Sequence, residues 1–89
     1  MSENFSPEAR KLLKAAYRNY NHLTMLDPEG RTIRYVAGTE VLAPEEEEKA
    51  QKLNQAMEKE LIAKNFMSKK TDTIDLTEKG KKLAEDLLK

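Results

Sequence analysis

The chain contains no cysteine and only one histidine, and these absences exclude several kinds of chemistry. Without cysteine there is no disulfide framework, thiolate nucleophile or cysteine-based zinc site, which fits a reducing compartment, and we expect a cytoplasmic protein. His22 has no partner at a recognisable acid–base spacing. No glycine-rich phosphate loop and no calcium-loop pattern occurs. We therefore expect a non-enzymatic protein with no metal and no cofactor.

Long apolar runs and a net charge are missing too. No segment approaches the roughly 18 consecutive apolar residues of a membrane span, and Met1–Phe5 lacks a basic region followed by an apolar run, so we expect neither a membrane partner nor secretion. The 16 basic and 16 acidic side chains cancel. Dedicated nucleic-acid binders usually carry a basic excess, because phosphate contacts displace counterions. The 89 residues are enough for one domain, 1–89, with a modest core.

The first half predicts a helix followed by a hairpin. Ser6 and Pro7 form a helix-start signal, and apolar residues recur at helical spacing up to about Asn21. The predicted buried stripe consists of Leu12, Leu13, Ala16, Tyr17 and Tyr20. The turn sequence Asp27–Gly30 then predicts a hairpin. Its strands are Thr24–Leu26 and Arg31–Val36, and Gly38 ends the second.

The second half predicts a long helix, a second hairpin and a last helix. Pro44 opens a helix that runs to about Lys64, with a core stripe of Ala50, Leu53, Met57 and Leu61. Phe66, Met67 and Ser68 lead into the charged turn Lys69–Asp72, and the alternation of apolar and polar residues over Thr73–Leu76 then indicates the second hairpin. Thr77 is placed to cap the last helix, and close packing would explain Gly80 near its start. The fold class is therefore α+β, in the order helix, hairpin, helix, hairpin, helix.

Three consecutive segments resemble the winged-helix domains of small bacterial and prophage regulators. They are the apolar helix end Leu61–Met67, the charged turn Lys69–Asp72 and the helix start Leu76–Gly80. The resemblance covers Pro44–Lys89, about half of the chain. It implies that Pro44–Lys64 is the recognition helix and that Lys69–Thr71 is the tip of the wing. The first half departs from the family, because a winged helix has a short second helix where this sequence predicts strands.

Polar residues on these two elements are the candidate nucleic-acid contacts. They are Lys49, Lys52, Gln55, Lys59, Lys69, Lys70 and Thr71. Lysines and amides at a groove contact phosphates and base edges. The same helix residues are also typical of an ordinary solvated face, and lysines at a turn also protect exposed sheet edges. Arg31 and Arg34 would extend the basic face if the fold brings them alongside.

Two functions follow as expectations. The resemblance implies a small winged-helix-like DNA-binding transcriptional regulator with double-stranded DNA as its partner. The alternative is a protein–protein interaction module that keeps the winged fold without binding DNA. Glu45–Glu48 favour this alternative if they form an acidic patch, although acids at a helix start are also stabilised simply by the helix dipole. Exposed leucines on the last helix would favour a homodimer, through Leu83, Leu87 and Leu88.

Overall fold

A computed structural model describes residues 5–88 and confirms the predicted α+β class. Met1–Asn4, to which the expectation of no secretory leader applies, and Lys89 lie outside the described residues. The elements in chain order are α1 (Pro7–Arg18), β1 (His22–Leu26), β2 (Arg34–Ala37), β3 (Glu40–Leu42), α2 (Glu47–Ala56), a π-helical segment (Met57–Ile62), β4 (Met67–Lys69), β5 (Thr73–Leu76) and α3 (Glu78–Leu87). The strands form one antiparallel sheet in the order β3-β2-β1-β5-β4.

Helix α1 begins where the sequence predicts. The Ser6 hydroxyl accepts a hydrogen bond from the Ala9 amide at 3.1 Å, and Pro7 occupies the first turn. The prediction that Tyr20 is buried is wrong, because its side chain is 89% exposed. The helix stops at Arg18, and the left-handed backbone of Tyr20 (φ 55°) and Asn21 (φ 68°) turns the chain into β1 before the helical stripe would return to the core.

The first half of the sheet has one strand more than the sequence predicts. Strand β1 pairs with β2 across the predicted turn, with Met25 opposite Tyr35. A short turn at Gly38 then leads into β3, where Glu40 pairs with Ala37. Three residues are too few to show an alternating pattern, so β3 was missed. On β2, Tyr35 is buried in the core, and Tyr17 of the predicted α1 stripe is partly buried.

The long helix predicted from Pro44 to Lys64 is shorter and changes its geometry. It begins at Glu47 after the cap residue Glu46, because Ala43 adopts φ 53° and keeps Pro44 in a bend. After Ala56 it continues as the π-helical segment. The wide hydrogen-bond spacing of that geometry is seen where the Ala63 amide donates to the Glu58 carbonyl at 3.2 Å. The chain then turns away from the helix at Asn65 (φ 66°), where the Phe66 amide donates to the Leu61 carbonyl at 2.8 Å.

The second hairpin and the last helix are confirmed. Met67 pairs with Leu76, and β5 also pairs with β1, which joins the two hairpins into one sheet. The Thr77 hydroxyl accepts from the Gly80 amide at 3.1 Å and caps α3. A Cβ at Gly80 would lie 2.0 Å from the Phe66 carbonyl oxygen, so close packing does explain this glycine. The Leu76–Gly80 motif therefore has a structural role in joining α3 to the sheet.

Helix α1 lies at the centre of the domain and contacts α2, α3, β1, β2 and β5. The largest fully buried side chains are Leu12, Leu13, Leu23, Met57, Leu61, Met67 and Ile74. They come from both halves of the chain, so the helix-and-strand layers share one core. Across residues 5–88, no helix combines the length and apolar character needed to cross a bilayer.

Candidate nucleic-acid interface

Four predicted contact residues form an exposed row along α2 and the π-helical segment, which we call the lysine stripe: Lys49, Lys52, Gln55 and Lys59. They recur every three or four residues, which places them on one side of the helix. Lys49 pairs with Glu46 at 3.0 Å and Lys52 approaches Glu48 at 4.0 Å. These pairs are solvent-exposed, so each contributes at most about 1 kcal/mol and exchanges readily with another anion.

The lysine stripe lies beside the start of α1. Lys49 and Lys52 line a depression together with Pro7 and Lys11 of that helix. An adjoining depression is lined by Lys52, Gln55 and Lys59 together with the carboxylates of Glu8 and Glu60. On its far side the Glu60 carboxylate accepts hydrogen bonds from the Ser6 amide (2.9 Å) and the Ser6 hydroxyl (2.6 Å). Burial raises the pKa of Glu60, but the bonds from Ser6 outweigh it and hold the pKa below its usual value. The Glu60 carboxylate therefore attaches the start of α1 to the π-helical segment.

The other three predicted contact residues lie in and beside the β4–β5 turn. Lys69 ends β4, while Lys70 and Thr71 form the exposed turn itself. The Lys70 ammonium lies 3.0 Å from the Asp75 carboxylate, so part of the positive charge of the β4–β5 hairpin is balanced within it. We refer to this hairpin, residues 67–76, as the wing, after the resemblance described above. Lys69 is exposed and forms no ion pair with any residue between 5 and 88.

The start of α2 and the wing lie at the same end of the sheet. The Met25 amide, near the end of β1, donates to the carbonyl of Asp72 in the wing turn at 2.8 Å. The β1–β2 loop follows β1 at that end, and its Thr32 amide donates to the Glu47 carboxylate at 2.7 Å. The first turn of α2 is therefore tied to the loop next to the wing. Along the stripe, Lys49 is closest in sequence to this end.

The proposed extension of the basic face by Arg34 is wrong. Its side chain is only 3% exposed, and its guanidinium donates to the Glu47 carboxylate at 2.8 Å and to the Thr32 carbonyl at 2.7 Å. The alternation of the strand predicts an outward side chain for Arg34, but a charged residue can be buried when a carboxylate from another element meets it. Arg31 keeps a partly exposed guanidinium that lies 3.4 Å from the same carboxylate.

Glu47 is the structurally distinct member of the glutamate run, because its carboxylate accepts hydrogen bonds from Arg34 and Thr32. Hydrogen bonds from Arg34 and then from Thr32 lower its pKa from 4.5 to about 2. Sequence reasoning missed this role, because four consecutive glutamates give no sign of which one turns inward. Glu45, Glu46 and Glu48 remain exposed at the start of the helix, as expected for a solvated helix start.

The only histidine and the acidic side chains form no metal-ligand cluster in the part of the chain that the structure describes. His22 begins β1, and its Nδ1 lies 3.5 Å from the Tyr20 carbonyl oxygen, a contact within the α1–β1 turn. Within residues 5–88, no three histidine, aspartate or glutamate side chains come together as metal ligands. No protein-family model, curated protein or solved structure matches this chain.

Proposed function

We propose that this protein is a small, non-enzymatic, winged-helix-like regulator that binds double-stranded DNA through the lysine stripe and the wing. Strand β1, the helix α2 that precedes β4, and the β4–β5 hairpin that pairs with β1 match the connectivity expected of the wing half of such a domain. The β2–β3 hairpin stands where the family has its short second helix. The single observation that carries the proposal is the placement of the α2 start and the wing turn at one end of the sheet.

The charges of these elements support binding to a polyanion in spite of the zero net charge. A duplex presents phosphates along a narrow track, so the local arrangement of cations determines contact more than the total does. Lys59 and Lys69 are exposed, and Lys49 and Lys52 hold only surface ion pairs. Exchanging a surface carboxylate for a phosphate costs little. Gln55, between the lysines, offers both a donor and an acceptor to a base edge.

A protein–protein interaction module is the second candidate, and the exposed acids at the start of α2 favour it. Recognition helices usually approach the bases with their N-terminal end, where Glu45, Glu46 and Glu48 would meet phosphates of like charge. Leu83 and Leu87 on α3 are only partly buried against the core, which leaves apolar surface for a homodimer contact.

Fluorescence polarisation with a labelled random-sequence duplex tests the first candidate. The wild-type chain, the double variant Lys52→Gln/Lys59→Gln and the matched control Lys81→Gln/Lys82→Gln on α3 are titrated at several salt concentrations. We expect wild type and control to bind, with log Kobs falling linearly with log salt. The stripe variant should show a slope smaller in magnitude by about 2, because about one counterion is released for each phosphate contact.

The outcome separates the two candidates. Absence of binding by the wild-type chain at low salt contradicts DNA binding and leaves the interaction module. Sedimentation of the same sample then shows whether a dimer forms, and Leu87→Lys should shift a dimer to monomer. A monomer that binds neither DNA nor itself contradicts both the DNA-binding proposal and the homodimer.

A further inference from the structure

A second basic surface, separate from the predicted contacts, lies between α1 and the β2–β3 hairpin. It is a cleft of about 560 Å³, which we call the α1 cleft. Its lining comprises Pro7, Arg10, Lys11, Lys14, Ala15, Arg18, Asn19, Ala37, Glu40 and Leu42. The small apolar residues lie between the polar ones, so the cleft offers a shallow apolar surface flanked by long cationic side chains.

The charge of the α1 cleft is strongly one-sided. Four cations line it, Arg10, Lys11, Lys14 and Arg18, against the single carboxylate of Glu40. The ion pairs found within residues 5–88 involve none of these five side chains. In a chain whose total charge is zero, this local excess has to be balanced by acids elsewhere. Unpaired cations gathered along one cleft are the electrostatic footprint of an anionic ligand.

The four cations of the cleft form a row along α1, and the length of this row suits an extended anion. From Arg10 to Arg18 the helix rises by about 12 Å at 1.5 Å per residue. Successive phosphates of one strand lie farther apart than their axial rise of about 3.4 Å because the backbone winds around the axis, so the row spans about two to three phosphates. A single small anion would meet only one or two of these side chains. Arginine at both ends also favours phosphate, because its planar guanidinium donates two parallel hydrogen bonds to phosphate oxygens.

The wall opposite α1 is held in place by the sheet. Strand β3 pairs with β2, with Val41 opposite Val36, and this pairing positions Glu40 and Leu42. At the far end, the Asn19 side-chain amide donates to the His22 carbonyl at 2.9 Å and so fixes the end of the helix. The cleft is therefore a feature of the folded domain with two supported walls.

The α1 cleft is continuous with the lysine stripe. Pro7 and Lys11 line both the cleft and the depression that contains Lys49 and Lys52. A path in which cations outnumber acids thus leads from Arg18 along α1 to the side of α2, with the Glu8 carboxylate at the junction. A single nucleic-acid strand can follow this path without crossing an apolar ridge, since the same α1 residues border both parts.

We propose that the α1 cleft binds the phosphodiester backbone of nucleic acid and supplies sequence-independent affinity. This inference rests on the proposed function and adds α1 to the contact surface that the lysine stripe and wing provide. Phosphate contacts position a protein on its nucleic acid without reading sequence. Removing a cation from the cleft should therefore weaken binding equally on unrelated sequences, and removing the carboxylate of Glu40 should strengthen it.

The polarisation assay tests this with variants of opposite sign. Lys11→Gln/Arg18→Gln removes two exposed cations of the cleft, and Lys81→Gln/Lys82→Gln removes two from α3 as a control. We expect the cleft variant to reduce the magnitude of the salt slope by about 2 on each of two unrelated duplexes, and the control to leave it unchanged. Glu40→Gln should increase affinity, whereas Glu78→Gln on α3, away from the cleft, the stripe and the wing, should not. Circular dichroism confirms that each variant is folded.

The outcomes distinguish the two proposals. If the wild type binds DNA and the cleft variant keeps its slope and affinity, the cleft inference is overturned while DNA binding by the stripe and wing stands. A loss confined to one of the two duplexes also overturns it, because a backbone contact does not depend on sequence. If the wild type binds no DNA, the proposed function itself fails and takes the cleft inference with it.

Discussion

Replacing Gly80 with alanine has two opposing effects on stability: a higher helix propensity and a steric clash with the Phe66 carbonyl. In a solvent-exposed helix interior, glycine to alanine stabilises by about 1 kcal/mol, because alanine loses less backbone freedom on folding. Gly80 lies in the first turn of α3, three residues after the cap Thr77. Helix propensity alone therefore predicts a more stable protein.

The structure predicts the opposite sign. The added Cβ would lie 2.0 Å from the Phe66 carbonyl oxygen, 3.0 Å from its carbonyl carbon and 3.1 Å from the Leu76 Cδ2. Normal carbon-to-oxygen contacts are about 3.3 Å or longer, so the start of α3 would have to move by roughly 1 Å from the chain at Phe66. That carbonyl also accepts the Thr77 amide at 3.1 Å, which the movement would strain. Overpacking of this kind costs about 1 to 3 kcal/mol.

Thermal unfolding followed by circular dichroism measures the effect of Gly80→Ala. For a domain of this size, about 1 kcal/mol corresponds to about 4 to 8 °C. After the helix-propensity gain of about 1 kcal/mol is subtracted, the net loss reaches about 2 kcal/mol, so we expect the Tm to fall by several degrees and by up to about 16 °C. Lys82→Ala on the exposed side of α3 serves as the control and should stay within about 0.5 kcal/mol of wild type. An unchanged or raised Tm for Gly80→Ala would show that the contact with Phe66 does not constrain this position.

Two further predictions concern polar anchors. Thr77→Ala removes the cap and the bond that its hydroxyl donates to the Asn65 carbonyl at 2.6 Å. Urea unfolding should show that the free energy of unfolding falls by about 1 to 2 kcal/mol. Thr77→Ser keeps the hydroxyl and should therefore stay close to the wild-type stability. For Glu47, the folded pKa of about 2 lies below the ordinary 4.5, so its contribution to stability is present above about pH 5 and is lost as the pH falls towards 2. Urea midpoints measured between pH 6 and 2 should therefore fall more steeply for wild type than for Glu47→Gln, and parallel profiles would contradict the role assigned to the bond with Arg34.

Much of the local structure was readable because it depends on short-range signals. The start of α1 follows from the hydroxyl of Ser6 and the fixed φ of Pro7, and the cap of α3 follows from Thr77 in the same way. The second hairpin follows from the charged turn Lys69–Asp72 and the alternation over Thr73–Leu76. These features need only neighbours within a few residues, which the sequence displays directly.

Other features were missed because distant residues produce them. Strand β3 exists because β2 offers its edge, and its three residues carry no pattern of their own. Arg34 is buried because Glu47 reaches it from the start of α2. Tyr20 is exposed because the chain reverses after Asn19. In each case the deciding contact or change of chain direction is one that hydrophobic periodicity, which compares residues only a few positions apart, does not reveal.

The sequence by itself determined that α1 carries a row of cations on its outward side, since charges spaced three or four residues apart must share a helix face. It also determined the lysine stripe on α2. Only the tertiary structure decided that the row on α1 has a second wall, because β3 is brought beside it by pairing with β2. Helical spacing is a local geometric rule, whereas a cleft requires two surfaces, and their approach depends on the packing of the whole core.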